Sequence, residues 1–437
     1  MSLGRFYRLF LVLFLLFGAE LVTADLTELE NKIIAIAERD KESAIALLAR
    51  TVNINSGTMN HLGVKAVGEV FAEEFQHLGL TTTWHDMSEV NRAGHLFAET
   101  AGESSSRCLL LIGHLDTVFE LDSPFQKFDR QGDHATGPGV NDMKGGDVVI
   151  LYALKVLKEV GVLDDLNLIV ALIGDEEKSG SPKSISRYHL IEASKRCDIA
   201  LGFEIATSLN AATVARRGSS GWRLDVSGKR AHSAGIFNDE VGSGAIFEAA
   251  RILNQFHEQL TGEEYLTFNP GVILGGTDVD YDPSQNKGGT FGKTNVVSQS
   301  VVVHGGLRTI SPAQEASARA RMKAIAENNH LPKTSAQITF QDGYPSMPPT
   351  EGNMAVLANL SGVSVDLDQG EVVAFDPGKR GAADVSFVAG YVDVIDGVGA
   401  EGNGAHTLDE SIDLATLPLL IQRAAILIHR LSTAEHY

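Results

Sequence analysis

The sequence has 437 residues, of which 43% are hydrophobic and 21% charged, so the chain is long enough for two or three domains with large cores. This composition excludes collagenous, disulfide-dense and intrinsically disordered proteins. The formal charge of −20, from 36 Lys and Arg against 56 Asp and Glu, argues against partners that need a basic surface, such as nucleic acid or an anionic membrane.

The first 24 residues have the pattern of a secretory signal peptide. Arg5 and Arg8 precede an apolar run over residues 9–17, and Ala24 ends a small-residue cleavage site. The run is shorter than the roughly 20 apolar residues that span a bilayer. We therefore expect a mature chain that begins near Asp25, is periplasmic or secreted, and has no membrane contact after cleavage. The alternative is an uncleaved N-terminal anchor.

The mature sequence begins with the pattern of an α/β domain. Apolar residues have helical spacing from residue 26 to about residue 79. Short apolar strands then alternate with helical segments. Strands are expected at residues 108–112, 166–173 and 199–203, and a helix at residues 148–160. Strands that are apolar on both faces and separated by helices indicate a sheet that is covered on each side.

A different pattern interrupts this domain at residues 213–343. Strands are expected at 221–226, 265–274, 295–303 and 336–341, and helices at 243–260 and 311–329. This β-α-β-β-α-β order is that of a ferredoxin-like unit. We interpret residues 213–343 as an inserted domain with hinges near Thr213 and Gln341, and the Gly- and Asp-rich residues 275–289 as its mobile loop.

The remaining residues belong to the first domain, which is predicted to comprise residues 25–212 and 344–437. Its last elements are a strand at 392–398 and a helix at 414–431. The two cysteines, Cys108 and Cys197, could pair in an exported protein, but Cys108 lies inside an apolar run. We therefore expect a buried free thiol at Cys108.

Four places put acidic or imidazole side chains after a predicted strand or at the start of a helix. They are His114 with Asp116, then Asp142, then the 174–177 turn, and Glu204. Polar groups at the carboxyl ends of neighbouring strands can gather at one edge of an open α/β sheet. The mixture of N and O ligands suits zinc, cobalt or manganese better than calcium. Taken singly, each motif also fits a satisfied loop pair, a solvated turn or a helix cap.

In chain order, these motifs resemble those of the co-catalytic zinc peptidases related to carboxypeptidase G and aminoacylase. The matching segments are His114-Leu115-Asp116-Thr117, Asp142-Met143-Lys144-Gly145-Gly146, Asp175-Glu176-Glu177, Phe203-Glu204 and His406. Residues 53–58 further resemble the glutamate carboxypeptidase-like branch. The resemblance covers essentially all of the mature chain. It implies a zinc-exopeptidase-like catalytic domain, with a mixed β-sheet flanked by helices, that is interrupted by a ferredoxin-like lid or dimerisation domain.

The resemblance also implies two Zn²⁺ per subunit, with Co²⁺ or Mn²⁺ as possible replacements. Asp142 would bridge the two ions, His114 and Glu204 would complete one site, and Glu177 and His406 would complete the other.

Two further roles near the metals follow from the resemblance. Asp116 would orient His114, and Glu176 would be the general base that takes a proton from the attacking water. Because adjacent side chains normally diverge, Glu177 can ligate a metal while Glu176 faces that water.

Residues of the inserted domain resemble the family's catalytic and substrate-binding positions. His232 would reach into a neighbouring subunit's cleft and help to hold the oxyanion. Asn295 and Arg308 would grip the substrate, with the guanidinium bound to a terminal carboxylate. The alternatives are a surface histidine and a surface ion pair. Gly381 begins the later substrate loop, where Gly-Ala-Ala-Asp stands in place of the expected Gly-Thr-Asp.

A second departure from the family lies two residues before Arg308, where Gly306 replaces the usual acid. Both departures leave the metals untouched but blur the side-chain preference of the pocket. Lys379 and Arg380 could favour an acidic end of the substrate, or they could be solvated surface charges.

The sequence therefore predicts an exported di-metal hydrolase that cleaves an amide bond adjacent to a free carboxylate in a small peptide or N-acyl amino acid. A dipeptidase or desuccinylase on the same scaffold is the alternative within the enzyme class. A catalytically silent peptide-binding relative is the alternative outside it. A homodimer formed through the inserted domain is expected from the resemblance alone.

Overall fold

The structure is a computed structural model that describes residues 26–101, 107–283 and 285–433. The predicted signal peptide, residues 1–24, lies outside the described residues. None of the described helices combines the length and the apolar character that crossing a bilayer requires.

The described residues form ten helices, four of which begin after a polar residue whose side chain caps the first turn; Thr27, for example, forms a reciprocal capping box with Glu30. The helices are α1 (Glu28–Arg39), α2 (Lys41–Val52), α3 (His61–His77), α4 (Lys144–Glu159), α5 (Lys183–Ser186), α6 (Tyr188–Ser194), α7 (Ala245–Leu260), α8 (Pro312–Glu327), α9 (Glu351–Asp366) and α10 (Leu417–Thr433).

Eighteen strands accompany them in the described residues. They are β1 (Thr81–Asp86), β2 (Gly94–Glu99), β3 (Cys108–His114), β4 (Asp129–Gln131), β5 (His134–Thr136), β6 (Asn167–Ile173), β7 (Ile199–Gly202), β8 (Ala211–Ala212), β9 (Gly218–Gly228), β10 (Thr267–Gly276), β11 (Asp278–Asp282), β12 (Lys287–Phe291), β13 (Ser300–Thr309), β14 (Thr334–Tyr344), β15 (Val373–Ala374), β16 (Asp393–Asp396), β17 (Gly402–Asn403) and β18 (Ser411–Asp413).

The central sheet has the strand order β1-β2-β6-β3-β7-β16. β6, β3, β7 and β16 are parallel to one another, whereas β1 and β2 are antiparallel to their neighbours. Alternate residues of β3 point to opposite faces, so Leu109 and Leu111 pack in the core with α4 and α10, while Leu110 and Ile112 pack in a second core on the other side. The predicted α/β fold with a mixed sheet covered by helices is confirmed.

A separate antiparallel sheet, with the order β10-β13-β9-β14, contains strands from residues 218–344. α7 and α8 cover one face of it, and their apolar side chains share a core with Trp222, Leu224 and Val303. This is the strand order of a ferredoxin-like unit. We call residues 218–344 the insert, and its four-stranded sheet the insert sheet. The segment that enters the insert and the segment that leaves it lie side by side, because Arg216 pairs with Met347. Thr213, just before, pairs with Asp396 of the central sheet.

Two predictions about the insert need correction. The strand expected at 295–303 is β13 (Ser300–Thr309), in which Gly305 and Gly306 continue the ladder opposite Trp222 and Gly221. Residues 275–289 are not an irregular loop, because β11 and β12 form an antiparallel hairpin there in the described residues.

The expectation of a free thiol at Cys108 is wrong, because the structure joins Cys108 and Cys197 in a disulfide. Cys108 begins β3, and Cys197 lies two residues before β7, which pairs with β3. Their Cα atoms are 4.4 Å apart, within reach of a disulfide. The apolar context of Cys108 indicates its burial, but its proximity to Cys197 depends on strand pairing.

Candidate metal centre

The centre lies where three parallel strands of the central sheet end side by side. His114 is the last residue of β3, the Asp175-Glu176-Glu177 turn follows β6, and Glu204 follows β7. Because β3 pairs with β6 on one side and β7 on the other, these three positions are neighbours across the sheet. The predicted gathering of side chains at the carboxyl ends of strands is therefore seen in the structure.

Asp142 reaches the same place from the turn that precedes α4. Glycine is needed in the first turn of this helix, because a Cβ atom on Gly146 would lie 2.0 Å from the carbonyl oxygen of Phe203. The close approach packs the start of α4 against the segment that carries Glu204. Asp142 and Glu204 are thereby brought to the same small space, although they are far apart in sequence.

The first ligand set consists of His114, Asp142 and Glu204. The Nε2 atom of His114 lies 3.1 Å from Oδ1 of Asp142 and 3.7 Å from Oε1 of Glu204. The other ring nitrogen, Nδ1, lies 3.0 Å from the backbone carbonyl oxygen of Asp116, which can only accept. Nδ1 therefore carries a hydrogen, and Nε2 is the ring atom that faces the two carboxylates.

The second ligand set consists of Asp142, Glu177 and His406. The Nε2 atom of His406 lies 3.0 Å from Oδ2 of Asp142 and 3.1 Å from Oε2 of Glu177. His406 comes from the loop between β17 and β18 and has a backbone φ of 65°. The two oxygens of Asp142 thus face different imidazoles, which is the arrangement of a carboxylate that bridges two ions.

Electrostatics at the centre favour added positive charge. Burial and the neighbouring Asp142 raise the pKa of Glu204 to about 7, and burial likewise raises the pKa of Glu177. Hydrogen bonds to Asp142 and Glu177 raise the pKa of His406 to about 11. Raised pKa values of both carboxyl groups and imidazoles indicate an excess of negative charge at the centre.

Two divalent cations fit this donor set. Oε1 of Glu177 is buried without a hydrogen-bond partner, and Nε2 of His114 faces oxygens of both Asp142 and Glu204. A cation placed between such atoms satisfies both, and imidazole with carboxylate ligands is typical of zinc sites. The ligands of each set lie within 4.8 Å of one another.

Asp116 supports the centre from beneath. Its carboxylate is fully buried, lies 3.5 Å from Nδ1 of His114, and accepts the hydroxyl hydrogen of Thr58 at 2.6 Å. It also accepts the backbone N–H groups of Glu176 and Glu177 at 3.0 and 3.2 Å. Asp116 therefore holds the Glu176 turn, whereas its backbone carbonyl makes the closer contact with the His114 ring.

Glu176 and Glu177 diverge, as their adjacent positions predict. Glu177 faces His406, whereas Glu176 lines a small cavity together with His114, Glu204 and Asp384. Burial, followed by repulsion from Glu204 and Asp384, raises the pKa of Glu176 well above the usual value.

A buried arginine, which the motifs do not reveal, holds the Glu176 turn from the other side. Arg187 donates to Oδ1 of Asp175 at 2.5 Å, to Oδ1 of Asp384 at 2.7 Å and to the hydroxyl of Tyr344 at 2.9 Å. That hydroxyl donates to the backbone carbonyl of Glu176 at 2.9 Å. Tyr344 is the last residue of β14, so this network joins the insert to the centre.

The structure does not bring the three predicted insert residues together in one protomer. The His232 and Asn295 loops are neighbours, since the N–H of Ser233 donates to the carbonyl of Asn295 at 2.9 Å. Arg308 lies near the opposite end of β13, eight residues beyond Ser300, which is about 26 Å along an extended strand. His232 and Asn295 are exposed, and the contacts of the described residues do not join them to the ligand sets.

Arg308 lies beside Arg217, and burial together with this second guanidinium lowers the pKa of Arg308. Among the described residues no carboxylate forms an ion pair with Arg308, so the alternative of a surface ion pair is not seen there. Nη2 of Arg380 donates to the carbonyl of Ile205, next to Glu204, at 3.2 Å, whereas Lys379 is exposed. The carbonyl of Gly381 accepts from Arg216.

Sequence reasoning missed Glu410. Its fully buried carboxylate accepts the backbone N–H groups of Gly139, Asn141 and Asp142 at 3.1, 2.9 and 3.0 Å. The sequence around it has the pattern of a solvated acidic turn, and only the four-residue spacing from His406 could have drawn attention to it.

Known proteins are similar to this chain over most of its length. The sequence profile described as "Peptidase family M20/M25/M40" matches residues 110–430. Carboxypeptidase G2 of Pseudomonas sp. (strain RS-16) is 26% identical over 411 residues, which are 93% of this chain and 93% of that protein. A probable succinyl-diaminopimelate desuccinylase of Staphylococcus aureus (strain MRSA252) is 30% identical over 164 residues, 36% of this chain and 38% of that protein.

The crystal structure of aminopeptidase PepT from Bacillus cereus has the same fold. It superposes with a TM-score of 0.68 and covers 90% of this chain and 99% of its own, at 17% sequence identity.

We expect Arg187→Ala to destabilise the protein by about 3–5 kcal/mol, because it leaves the buried carboxylates of Asp175 and Asp384 without their cation. Urea unfolding followed by circular dichroism measures this change. Arg196→Ala is the matched control, since Arg196 pairs with Glu99 at the surface and its loss costs about 1 kcal/mol or less. Equal effects of the two substitutions would contradict this account.

Proposed function

The chain belongs to peptidase family M20/M25/M40, and from this membership we propose that it is an exported di-metal hydrolase that cleaves an amide bond adjacent to a free carboxylate. Glutamate carboxypeptidase-like activity and N-acyl amino acid hydrolysis both fit this description. One observation carries the proposal: the carboxylate of Asp142 is shared by two ligand sets beside the cavity that Glu176 lines.

We assign the residues of the two ligand sets to two Zn²⁺ ions, with Co²⁺ or Mn²⁺ as alternatives. Bound divalent cations at such a site lower the pKa of a shared water and polarise the carbonyl that is attacked. His114 and Glu204 would hold one ion, Glu177 and His406 the other, and Asp142 both.

Glu176 is the proposed general base. It lines the same cavity as His114 and Glu204 but belongs to neither ligand set, so its carboxylate is free to accept a proton. It would take the proton from the attacking water and deliver it to the leaving nitrogen. Asp116 and Arg187 fix the turn that carries it, through the backbone N–H of Glu176 and through Asp175.

The arginines at the base of the insert support recognition of a carboxylate. Arg308 and Arg217 are neighbours, and Arg380 donates to a carbonyl next to Glu204. Adjacent guanidinium groups repel one another unless an anion lies between them, and a carboxylate matches their planar donors. We propose that Arg308 binds the free carboxylate of the substrate, with Gly381 on the neighbouring loop.

Two other activities on the same scaffold are separable by substrate. The relative from Staphylococcus aureus is described as a probable succinyl-diaminopimelate desuccinylase, and this keeps a desuccinylase as an alternative. A dipeptidase would require a free amino group in the substrate. A silent peptide-binding relative is disfavoured, because every proposed ligand position and the proposed base hold competent side chains.

We further propose a homodimer formed through the insert. Phe237, Ile246, Phe247, Ile273 and Phe291 are all more than half exposed, and the Phe237 and Phe247 rings are in contact at 5.5 Å. We call these five residues the insert patch. Phe237 follows His232 by five residues, and Ile273 lies on β10, an edge strand of the insert sheet, so we propose that a second copy covers the patch and brings His232 towards another subunit's cleft.

Export is supported by the Cys108–Cys197 disulfide, since disulfides persist in oxidising compartments and are rare in the cytosol.

The substrate proposal is tested with N-acyl amino acids, dipeptides and succinylated amines, each assayed with zinc, cobalt and manganese. We expect hydrolysis of amides next to a free carboxylate and little hydrolysis of their carboxamide counterparts. Glu176→Gln should lower kcat by about 10²–10⁴-fold without loss of bound cations, because it removes the proton acceptor and no ligand. A Glu176→Gln variant as fast as the parent would overturn the assigned base, and a parent without activity on the whole panel would favour the silent relative.

We expect Phe247→Asp to convert a dimer into a monomer and to lower kcat, because a charge in the insert patch opposes its burial and removes His232 from the neighbouring cleft. Light scattering during size-exclusion chromatography measures the mass. Met354→Glu places a charge on an exposed apolar side chain of α9, outside the patch, and should leave the dimer intact. A monomeric parent at micromolar concentration would exclude the dimer.

When the full chain is produced in a bacterial host with a secretory pathway, we expect the exported fraction to begin at Asp25. N-terminal sequencing of that fraction checks the cleavage site. Leu13→Arg should keep the chain in the cytoplasm, since it interrupts the apolar run at residues 9–17. A cytoplasmic parent that retains residues 1–24 would contradict export.

A further inference from the structure

Glu410 connects the two loops that carry Asp142 and His406. It follows His406 by four residues and is fully buried, and its backbone carbonyl accepts the N–H of Gly137 at 3.3 Å. Its side chain crosses to the 139–142 turn, where Oε1 accepts from Asn141 and Asp142 and Oε2 accepts from Gly139. Both carboxylate oxygens of Glu410 therefore accept hydrogen bonds from backbone N–H groups of the 139–142 turn.

These bonds are strong and specific in direction. Hydrogen bonds from backbone N–H groups to a carboxylate are roughly twice as strong as neutral ones. Three of them converge here, and one comes from the N–H of Asp142 itself. Glu410→Ala truncates the side chain to a methyl group and leaves three buried N–H donors without a partner, so the 139–142 turn is expected to move. Asp142 would move with it.

The two ligand sets depend on Glu410 to different degrees. His114 ends β3 and Glu204 follows the adjacent β7, and the register of these strands places Ile112 opposite Gly202. Glu177 is held through its N–H by Asp116. His406 has none of this support, since it lies in a loop outside the central sheet and its side chain is 57% exposed.

We propose that Glu410 is a positioning residue that sets the separation between Asp142 and His406, and thereby the affinity of the cation site formed by Asp142, Glu177 and His406. This inference rests on the proposed function, because it requires the two ligand sets to bind cations. Glu410 contacts neither ligand imidazole nor substrate, and acts through the backbone of the 139–142 turn.

The test is a titration of the cation-free chain with Zn²⁺ by calorimetry. The parent is expected to bind two ions. Glu410→Ala should bind one ion nearly as tightly as the parent and the second at least tenfold more weakly, in the range of about 10–100-fold that loss of a supporting group typically costs. His406→Ala provides the reference for a chain in which the second site has lost a ligand.

Two further variants separate geometry from charge. Asp409→Ala also removes a carboxylate, from the exposed residue next to Glu410, and should leave both affinities unchanged. Glu410→Gln should be intermediate, because its amide oxygen can still accept from Asn141 and Asp142 while its NH₂ group cannot accept from Gly139. If Glu410→Ala does not fold, Glu410→Gln carries the test.

The outcomes distinguish this inference from the proposed function. A parent that binds no Zn²⁺ would overturn the proposed function. A parent that binds two ions, with Glu410 variants that bind both as tightly, would overturn the positioning role alone. Equal weakening of both sites, together with a lowered Tm of the cation-free variant, would also overturn it, since Glu410 would then serve stability only.

Discussion

Repulsion between carboxylates is the constraint on which the centre depends. Asp142, Glu176, Glu177 and Glu204 meet in a largely buried space, and in the described parts of the chain none of them forms an ion pair with Lys or Arg. Like charges in such a place favour separation or protonation. The surrounding fold must therefore hold these side chains against their own repulsion until cations compensate it.

Three buried carboxylates support the centre in the same way, by accepting hydrogen bonds from backbone N–H groups. Asp116 gathers the N–H groups of Glu176 and Glu177, and Glu410 gathers those of the 139–142 turn. Asp175 accepts the N–H of Gly180 and is held by Arg187. In each case a buried carboxylate that is not a proposed ligand fixes the backbone of a loop that carries ligands or the base. The oxygens of the ligands are left free for cations.

The position of Asp142 could be predicted from the start of a helix and that of His406 only from the resemblance to the family, whereas His114, Glu177 and Glu204 could be predicted because each lies at or just after the end of an apolar run. Glu410 and Arg187 could not, since their partners lie far away in sequence and the local pattern is that of an ordinary polar turn. The disulfide was missed for a similar reason, as Cys108 meets Cys197 only through the pairing of β3 with β7. The bounds of β13 were misplaced because pairing with the neighbouring strands extends its ladder through Gly305 and Gly306.

Tyr344 links the insert to the turn that carries Glu176. Its hydroxyl is bonded at once to Arg187 and to the peptide carbonyl of Glu176, while its backbone closes the last rung of β14 opposite Ser219. A swing of the insert about this neck cannot proceed without stretching or exchanging those bonds. The position of the Glu176 backbone therefore depends on the position of the insert relative to the central sheet.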